Sequence, residues 1–236
     1  MDESTGRDTS PPDRAEMPIP MSEAEALRPL RIKGGISGAL RASLRGWWRE
    51  IFVLTGLNLF WTLAAFSIVA LPPATVAMFY VARQVLANDY FINWQTFWQP
   101  FRRYWLAAWG WGLVFFALAG VAAANLWFYR DAPGAVSTIL RWVWATFLVV
   151  WVILNLFFWP FWFAEDEAQR TLRTTWRNTL SFLSANPFPA LFVTLIVFLL
   201  GTASFLVGVP LGVLFMSWTA LLATATLAAY LPREGE

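Results

Sequence analysis

The fold is decided by the stretch from Ile51 to Leu71, which reads IFVLTGLNLFWTLAAFSIVAL. It carries no charged residue, and as a helix it would extend about 31 Å, which is the thickness of the hydrocarbon core of a bilayer. Pro72 and Pro73 then end this segment and favour the start of a second helix, because the first turn of a helix needs no N–H from them. The stretch therefore predicts a transmembrane helix followed directly by another.

Further apolar segments of similar length follow along the chain. We predict six membrane-spanning helices, at residues 51–71, 74–87, 104–129, 138–161, 187–207 and 210–231. The composition supports this interpretation, because 58% of the residues are hydrophobic and only 14% are charged, unlike a soluble domain. The expected fold class is all-α, a six-span transmembrane helical bundle in which residues 36–236 form the membrane domain.

Residues 1–35 differ from the rest, since they contain many charged residues and five prolines but no aromatic residue. Such a segment cannot bury enough apolar area to offset its ordering entropy, so we expect a disordered tail. A capping box of Ser22 and Glu25 favours one short helix there, at Glu23–Leu27. With six spans, 15 of the 17 Lys and Arg residues fall on one side, which predicts that both termini are cytoplasmic.

Three short segments, at residues 39–48, 96–105 and 175–184, resemble one another, and each precedes a pair of predicted spans. In each segment three apolar residues recur with the spacing i, i+4, i+7, which places them on one face of a helix. These predicted apolar stripes are Leu40, Leu44 and Trp47; Phe97, Phe101 and Tyr104; and Trp176, Leu180 and Leu183. The pattern predicts three units, each an amphipathic cytoplasmic helix followed by a transmembrane hairpin.

Basic residues flank the three stripes, so we expect these helices to lie in the lipid headgroup layer. The candidate contacts with lipid or a partner protein are Arg41, Arg45, Arg102, Arg103, Arg173 and Arg177. An alternative is that the helices only set the depth and angle of the spans that follow, because interfacial helices rich in Trp and Arg are common anchors. The expected partners are the lipid bilayer and another membrane protein, and no nucleic acid is expected.

Polar side chains are few inside the predicted spans, and Asn and Thr there commonly form hydrogen bonds between helices. The candidate interhelical or solute-facing polar residues are Asn58, Thr62, Thr75, Arg83 and Asn155. We expect the long side chain of Arg83 to extend to the membrane interface from the end of its helix. A polar cavity, if the bundle contains one, should be bordered by Asn58, Thr62 and Asn155.

The sequence contains no Cys and no His, which excludes disulfides, thiol chemistry, Cys/His zinc sites and His-dependent triads. It shows no phosphate-binding glycine loop and no metal-ligand spacing. We expect the acidic run Glu165-Asp166-Glu167 to stabilise the N-terminus of the third amphipathic helix rather than to hold a cation. The predictions are therefore no enzyme, no catalytic residues, no cofactor and no metal.

Two motifs resemble a known family. The segments Asn58-Leu-Phe-Trp61 and Leu71-Pro-Pro-Ala-Thr-Val-Ala-Met-Phe-Tyr80 are similar to the signature of the YesL-like bacterial integral membrane proteins, although Pro72 stands where that family usually has Gly. The resemblance implies a small multi-pass protein of the bacterial plasma membrane, from a family of unknown function often encoded near genes for carbohydrate uptake or breakdown. It brings no catalytic residues to this chain.

Two functions follow from these observations. The first is a non-enzymatic accessory or assembly protein that binds partner proteins or lipid through its amphipathic cytoplasmic helices. The alternative is a permease, or a transporter component, for a small uncharged or carbohydrate-related solute. The alternative is favoured by the polar Asn and Thr residues in several spans, by Trp residues deep in the predicted spans, and by the family association.

Overall fold

A computed structural model describes residues 30–87, 92–165, 170–208 and 211–231. Most of the predicted tail, including the helix predicted at Glu23–Leu27, lies outside the described residues, as do Asp166 and Glu167. Within the described residues the chain forms nine α-helices and one π-helical turn, with no strand. The prediction of an all-α protein is therefore confirmed.

The helices follow one another with short connections. They are α1 (Gly35–Arg49), α2 (Ile51–Ser67), α3 (Leu71–Leu86), α4 (Trp94–Arg103), α5 (Trp105–Tyr129), α6 (Ala135–Ala164), α7 (Leu172–Ala185), α8 (Pro187–Val207) and α9 (Met216–Tyr230). The π-helical turn Leu211–Phe215 leads directly into α9.

Four of the described helical segments are long and apolar enough to cross a membrane: α5, α6, α8 and the segment Val213–Tyr230 that contains α9. The pair α1 and α2 adds a fifth if it is counted as one span, although the chain turns through 92° between them. Because α2 has only 17 residues and α3 only 16, the count of six spans remains a prediction.

The hairpin between α2 and α3 turns earlier in the chain than the sequence predicts. Helix α2 ends at Ser67, whose hydroxyl donates to the carbonyl of Ala64 and accepts from the N–H of Ala70. Ile68 follows with a φ of 55°, and α3 begins at Leu71 with the two prolines in its first turn. The hydrogen bonds of the Ser67 side chain therefore end α2 at Ser67, before the apolar stretch itself ends at Leu71.

The centre of the bundle consists of α3, α9 and the second half of α6. Twelve of the 16 residues of α3 are buried, and Phe157, Phe158 and Trp159 of α6 are 0% exposed. By contrast, α2, α5 and α8 present large apolar side chains on the outside, among them Phe52 and Phe205. Exposed apolar surface of this extent is typical of a protein surrounded by lipid.

Helix α1 packs antiparallel along α9. Near its end, Trp47 Nε1 donates to the hydroxyl of Ser217, at 3.3 Å. Ahead of its start, the N–H of Ile32 donates to the carbonyl of Ala228, at 3.4 Å. The axes of the two helices therefore lie side by side, with the chain running in opposite directions, at an angle within the range in which packed helices usually cross. Helix α1 can lie flat in the headgroup layer, as the sequence predicts, only if α9 also does so.

The three amphipathic helices differ in which face they bury. Helix α4 buries its predicted stripe, whereas the buried faces of α1 and α7 each lie one residue before the predicted stripe. The residues buried there are Ala39, Ser43 and Gly46 in α1, and Thr175, Thr179 and Phe182 in α7. As a result, Leu44 and Leu180 are each 53% exposed. Small side chains explain the shift in α1, because they let two helices approach closely where apolar residues gain nothing by leaving lipid.

Pro72 packs against α5 at a glycine. A Cβ atom added at Gly112 would lie 2.9 Å from Cγ and 3.1 Å from Cβ of Pro72, which is too close for carbon atoms. Gly120, two turns further along the same helix, has open space around its Cβ position.

We therefore expect Gly112→Ala to destabilise the protein by about 1–3 kcal/mol, because the proline ring cannot move aside without shifting α3. Gly120→Ala is the matched control and should be neutral or stabilising by up to about 1 kcal/mol. Thermal unfolding of both variants in the same detergent measures the difference. Equal stability of the two variants would contradict the close approach of α3 and α5.

Candidate functional site

Asn58 joins α2 to α9 in the interior. Its side-chain oxygen accepts a hydrogen bond from the backbone N–H of Ser217, at 2.8 Å, and Asn58 is 0% exposed. The hydroxyl of Ser217 in turn accepts from Trp47 and donates to the carbonyl of Leu214. Ser217 therefore connects three helices, α1, α2 and α9, at the point where the π-helical turn gives way to α9.

Trp61 and Thr75 form a second connection, between α2 and α3. The indole N–H of Trp61 donates to the hydroxyl of Thr75 at 3.0 Å, while that hydroxyl donates to the carbonyl of Leu71 in its own helix. Both ends of this bond belong to the motifs that carry the family resemblance, as Asn58 does. These motif residues therefore hold helices together, which is a structural role.

Thr62 and Asn155 lie on different helices and do not share a hydrogen bond. The Thr62 hydroxyl donates to the carbonyl of Asn58 within α2. Asn155 is buried in α6, where its amide donates to the carbonyl of Trp151 at 2.6 Å. Its side-chain oxygen is buried without a partner among the residues that the structure describes. The bond of Thr62 therefore joins it to the Asn58 backbone within α2, whereas the bond of Asn155 lies within α6.

Arg83 is 3% exposed and lines a small cavity between α3, α6 and α9. The expectation that its side chain extends to the membrane interface is wrong, since neighbouring helices cover it. The reason is that α3 runs through the centre of the bundle, so the end of this helix has no lipid-facing side.

A junction that the sequence did not predict surrounds Glu165, directly after α6. Its carboxylate accepts from the Thr175 hydroxyl and from the Asn178 amide, each at 2.9 Å. Its backbone carbonyl accepts from Arg170 at 3.0 Å, and Arg170 also donates to the Tyr104 hydroxyl at 3.1 Å. The junction ties the end of α6 to α7 and to the boundary between α4 and α5.

The role expected for Glu165 at the N-terminus of α7 is filled by another residue. Thr171 caps this helix, because its hydroxyl accepts from the N–H of Thr174 and completes a capping box. Glu165 binds side chains one and two turns into α7 instead. The capping box Thr171-x-x-Thr174 was visible in the sequence, but Thr at its last position is a weaker signal than Glu or Gln.

Burial raises the pKa of the Glu165 carboxyl above its ordinary value of 4.5. Hydrogen bonds from Thr175 and Asn178 and the charges of Arg170 and Arg177 act in the opposite direction without cancelling this effect. The folded protein therefore binds a proton at Glu165 more tightly than the unfolded chain does.

The six predicted contact arginines are all exposed: Arg41, Arg45, Arg102, Arg103, Arg173 and Arg177. Two of them lie against aromatic rings, with the Arg102 guanidinium 4.9 Å from the ring centre of Trp98 and that of Arg103 5.7 Å from the ring centre of Tyr104. Exposed Leu44 and Leu180 accompany them on α1 and α7. We call this set of six arginines the arginine surface.

Two contacts join the helices that carry the arginine surface to their neighbours. Arg49 Nη2 donates to the carbonyl of Val85 and so joins the end of α1 to the end of α3. Arg170, just before α7, joins the boundary between α4 and α5 through Tyr104. Arg130 lies at the far end of α5, about 37 Å away along that helix.

Within the described ranges, no three His, Cys, Asp or Glu side chains come close enough to share a metal ion. The helices and the exposed apolar surface define the chain as a protein suited to embedding in a membrane. Residues 52–126 match the family described as "Protein of unknown function, DUF624". The matched segment begins in α2 and ends in α5, so it contains Asn58, Trp61 and Thr75. No curated protein and no solved structure matches the chain.

We expect Asn58→Leu to destabilise the protein by about 1–3 kcal/mol, because it leaves the buried N–H of Ser217 without its acceptor. Asn125→Leu is the control, since among the described residues the Asn125 amide bonds only to the carbonyl of Val121 in its own helix. It should change stability by less than about 0.5 kcal/mol. Unfolding curves in detergent test this difference. If Asn58→Leu were as stable as Asn125→Leu, the bond from Ser217 to Asn58 would be dispensable.

The raised pKa of Glu165 gives a second expectation. A group with a raised folded-state pKa favours folding as the pH falls through that pKa, and the gain is complete below the unfolded value near 4.5. Between about pH 7 and about pH 4, the wild-type protein should therefore gain stability relative to Glu165→Gln, which cannot take up the proton. Melting temperatures of both proteins across this range measure the gain. Parallel pH profiles would exclude a raised pKa at Glu165.

Proposed function

We propose that this protein is a non-enzymatic, membrane-embedded accessory or assembly protein that acts through the arginine surface of α1, α4 and α7. The observation that carries the proposal is the exposure of all six arginines beside outward-facing apolar side chains. A surface that combines guanidinium groups with apolar and aromatic residues is suited to binding another protein at the edge of a bilayer. We propose an acidic segment of a second membrane protein as the partner.

The positive-inside rule supports a cytoplasmic position for this surface, because it contains six of the 13 basic residues in the described ranges. The order of the helices, in which each of α1, α4 and α7 precedes two further helices, supports an arrangement of three units and six spans. Family resemblance supports the bacterial plasma membrane as its location. In this arrangement both chain termini lie on the cytoplasmic side.

The packed interior supports a binding function over transport. Phe158 contacts Trp159, Trp162 and Trp176 with ring centres 4.7 to 6.3 Å apart, and Trp111 lies 5.6 Å from Trp159. Aromatic rings at these distances are in contact and fill the space between α5, α6 and α7. Trp111, one of the Trp residues deep in the predicted spans, therefore packs against other aromatic rings.

The permease remains a second candidate because of one observation. Asn155 Oδ1 and the Nε1 atoms of Trp111 and Trp159 are buried without hydrogen-bond partners among the described residues. Buried polar atoms of this kind can receive water or a polar solute. Flux of an uncharged solute into liposomes that contain only this protein would favour the permease, and its loss in Asn155→Leu would locate the path.

The proposed function predicts that charge reversal at the arginine surface removes the partner. In native membranes, the combined variant Arg102→Glu, Arg103→Glu, Arg173→Glu and Arg177→Glu should retain about tenfold less cross-linked partner than wild type, because acidic groups then face each other. Quantitative mass spectrometry of the cross-linked protein, purified under denaturing conditions, measures this loss.

Two controls make the result specific. Lys at the same four positions keeps the charge and should retain most of the partner, although Lys lacks the forked geometry of Arg. Arg130→Glu reverses a charge at the opposite end of α5 and should retain all of it. All variants must reach the membrane in equal amounts. If the Glu variant retained as much cross-linked partner as wild type, partner binding through the arginine surface would be refuted. The helices would then act only as membrane anchors.

A further inference from the structure

An apolar groove lies where α8 begins and α9 ends. It has a volume of about 450 Å³, which is within the usual range for binding sites of small organic molecules. One wall consists of α8 residues between Phe188 and Leu195, and the other is formed by Ile36 of α1 and Tyr230 of α9. Because α8 and the segment that ends at Tyr230 are both long and apolar enough to cross a membrane, the groove begins at the boundary of two candidate spans.

The α8 wall of the groove faces outward and covers only half of the span. Its large side chains follow the spacing i, i+3, i+4, i+7 on one face of the helix, and they are 43% to 82% exposed: Phe188, Leu191, Phe192 and Leu195. We call these four residues the α8 stripe. It extends about 10 Å, whereas the hydrocarbon of one leaflet is about 15 Å thick. This depth suits an acyl chain of one leaflet, because a transmembrane partner helix needs a groove along the full span.

Two cations lie beside the mouth of the groove, namely Arg31 and Lys33, which are both exposed. The N–H of Ile32, between them, donates to the carbonyl of Ala228 and holds this segment beside the last turn of α9. Tyr230, in the same turn, lines the groove. The segment therefore places two positive charges at the boundary where the groove begins.

Arg41 adds a third positive charge from α1. Its Nε donates to the carbonyl of Ser37 at 3.2 Å, and its Nη2 lies 3.7 Å from the position of a Cβ atom added at Gly34. The guanidinium group therefore reaches back to the first turn of α1, where Ile36 lines the groove. Within the described ranges, none of these three cations forms an ion pair with an acidic side chain.

The charges and the groove together define the ligand. Lys and Arg side chains near a membrane surface attract anionic lipids, and both bind phosphate oxygens through charge-assisted hydrogen bonds. An apolar groove of half-span depth suits an acyl chain. The molecule that satisfies both requirements has a phosphate diester without a compensating cation at one end and a hydrocarbon chain at the other.

We propose that this groove binds one anionic phospholipid. Its phosphate group accepts hydrogen bonds from Lys33 and Arg41, and one of its acyl chains lies between Ile36 and the α8 stripe. Of the arginine surface, only Arg41 takes part in this site. The four arginines changed in the partner experiment lie on α4 and α7, so binding of the lipid and binding of the partner are tested separately.

The test is photo-cross-linking of the full-length protein in phosphatidylcholine vesicles. Two probes with the same photoreactive acyl chain are compared at a low fraction of the lipid, phosphatidylglycerol and phosphatidylcholine, and mass spectrometry of peptides locates the label. We expect phosphatidylglycerol to label the α8 stripe about tenfold more than phosphatidylcholine does, because only its headgroup has a net negative charge. Phe205, which is 86% exposed near the other end of α8, is the internal control and should be labelled equally by both probes.

Two results would overturn the proposal. Equal labelling of the α8 stripe by both probes would show that any lipid next to the protein fills the groove. Absence of the phosphatidylglycerol label from the stripe, with normal labelling of Phe205, would show that the groove has another occupant, either a further segment of this chain or a second copy.

The double variant Lys33→Gln and Arg41→Gln is decisive, because it removes two exposed charges from the mouth and leaves the groove intact. It should reduce labelling of the α8 stripe by phosphatidylglycerol about fivefold. Arg102→Gln with Arg173→Gln is the matched control, since it removes two exposed charges from α4 and α7, and it should be labelled as wild type is. An equal reduction in both double variants would indicate general attraction between a basic protein and anionic lipid. Either that result or unchanged labelling of the Lys33 and Arg41 variant would refute the site.

Discussion

A backbone N–H group that is shielded from water has to find its acceptor within the protein, and the start of α9 shows how strongly this requirement shapes the bundle. The N–H of Ser217 is satisfied by Asn58, a residue of a helix far away in the sequence. The Ser217 hydroxyl adds Trp47 to the same point. Through its backbone N–H and its hydroxyl, Ser217 therefore links α1, α2 and α9 at one point.

The family resemblance acquires a physical meaning from these bonds. Asn58, Trp61 and Thr75 are polar residues of the two motifs, and each takes part in a hydrogen bond to a neighbouring helix. Pro72, where this chain departs from the family pattern, lies against Gly112 of α5, whose missing side chain makes room for the proline ring. These motif residues therefore stabilise the packing of α2 against α3 and α9.

The sequence predicted helices well where local signals mark their ends. Helix α8 has the predicted bounds, with Pro187 at its start and Gly208 just after its end. The sequence predicted helix faces less well, because the usual rule that apolar residues face inward assumes water outside. In α1, Ala39 and Gly46 face the core and Leu44 faces out, which is unfavourable in water but costs little in lipid. The Glu165 junction and the burial of Arg83 depend on how helices far apart in the chain meet, and no local pattern encodes that.

The antiparallel contact between α1 and α9 has a consequence for how the protein is made. During translation, α1 leaves the ribosome long before α9, so the part of its glycine-containing face that packs on α9 has no native partner until nearly the whole membrane domain has been inserted. The contact is thus among the most non-local in the chain, and such contacts are the slow steps of folding. A nascent chain halted after α8 would hold a nearly complete set of helices and still lack the one that closes the bundle.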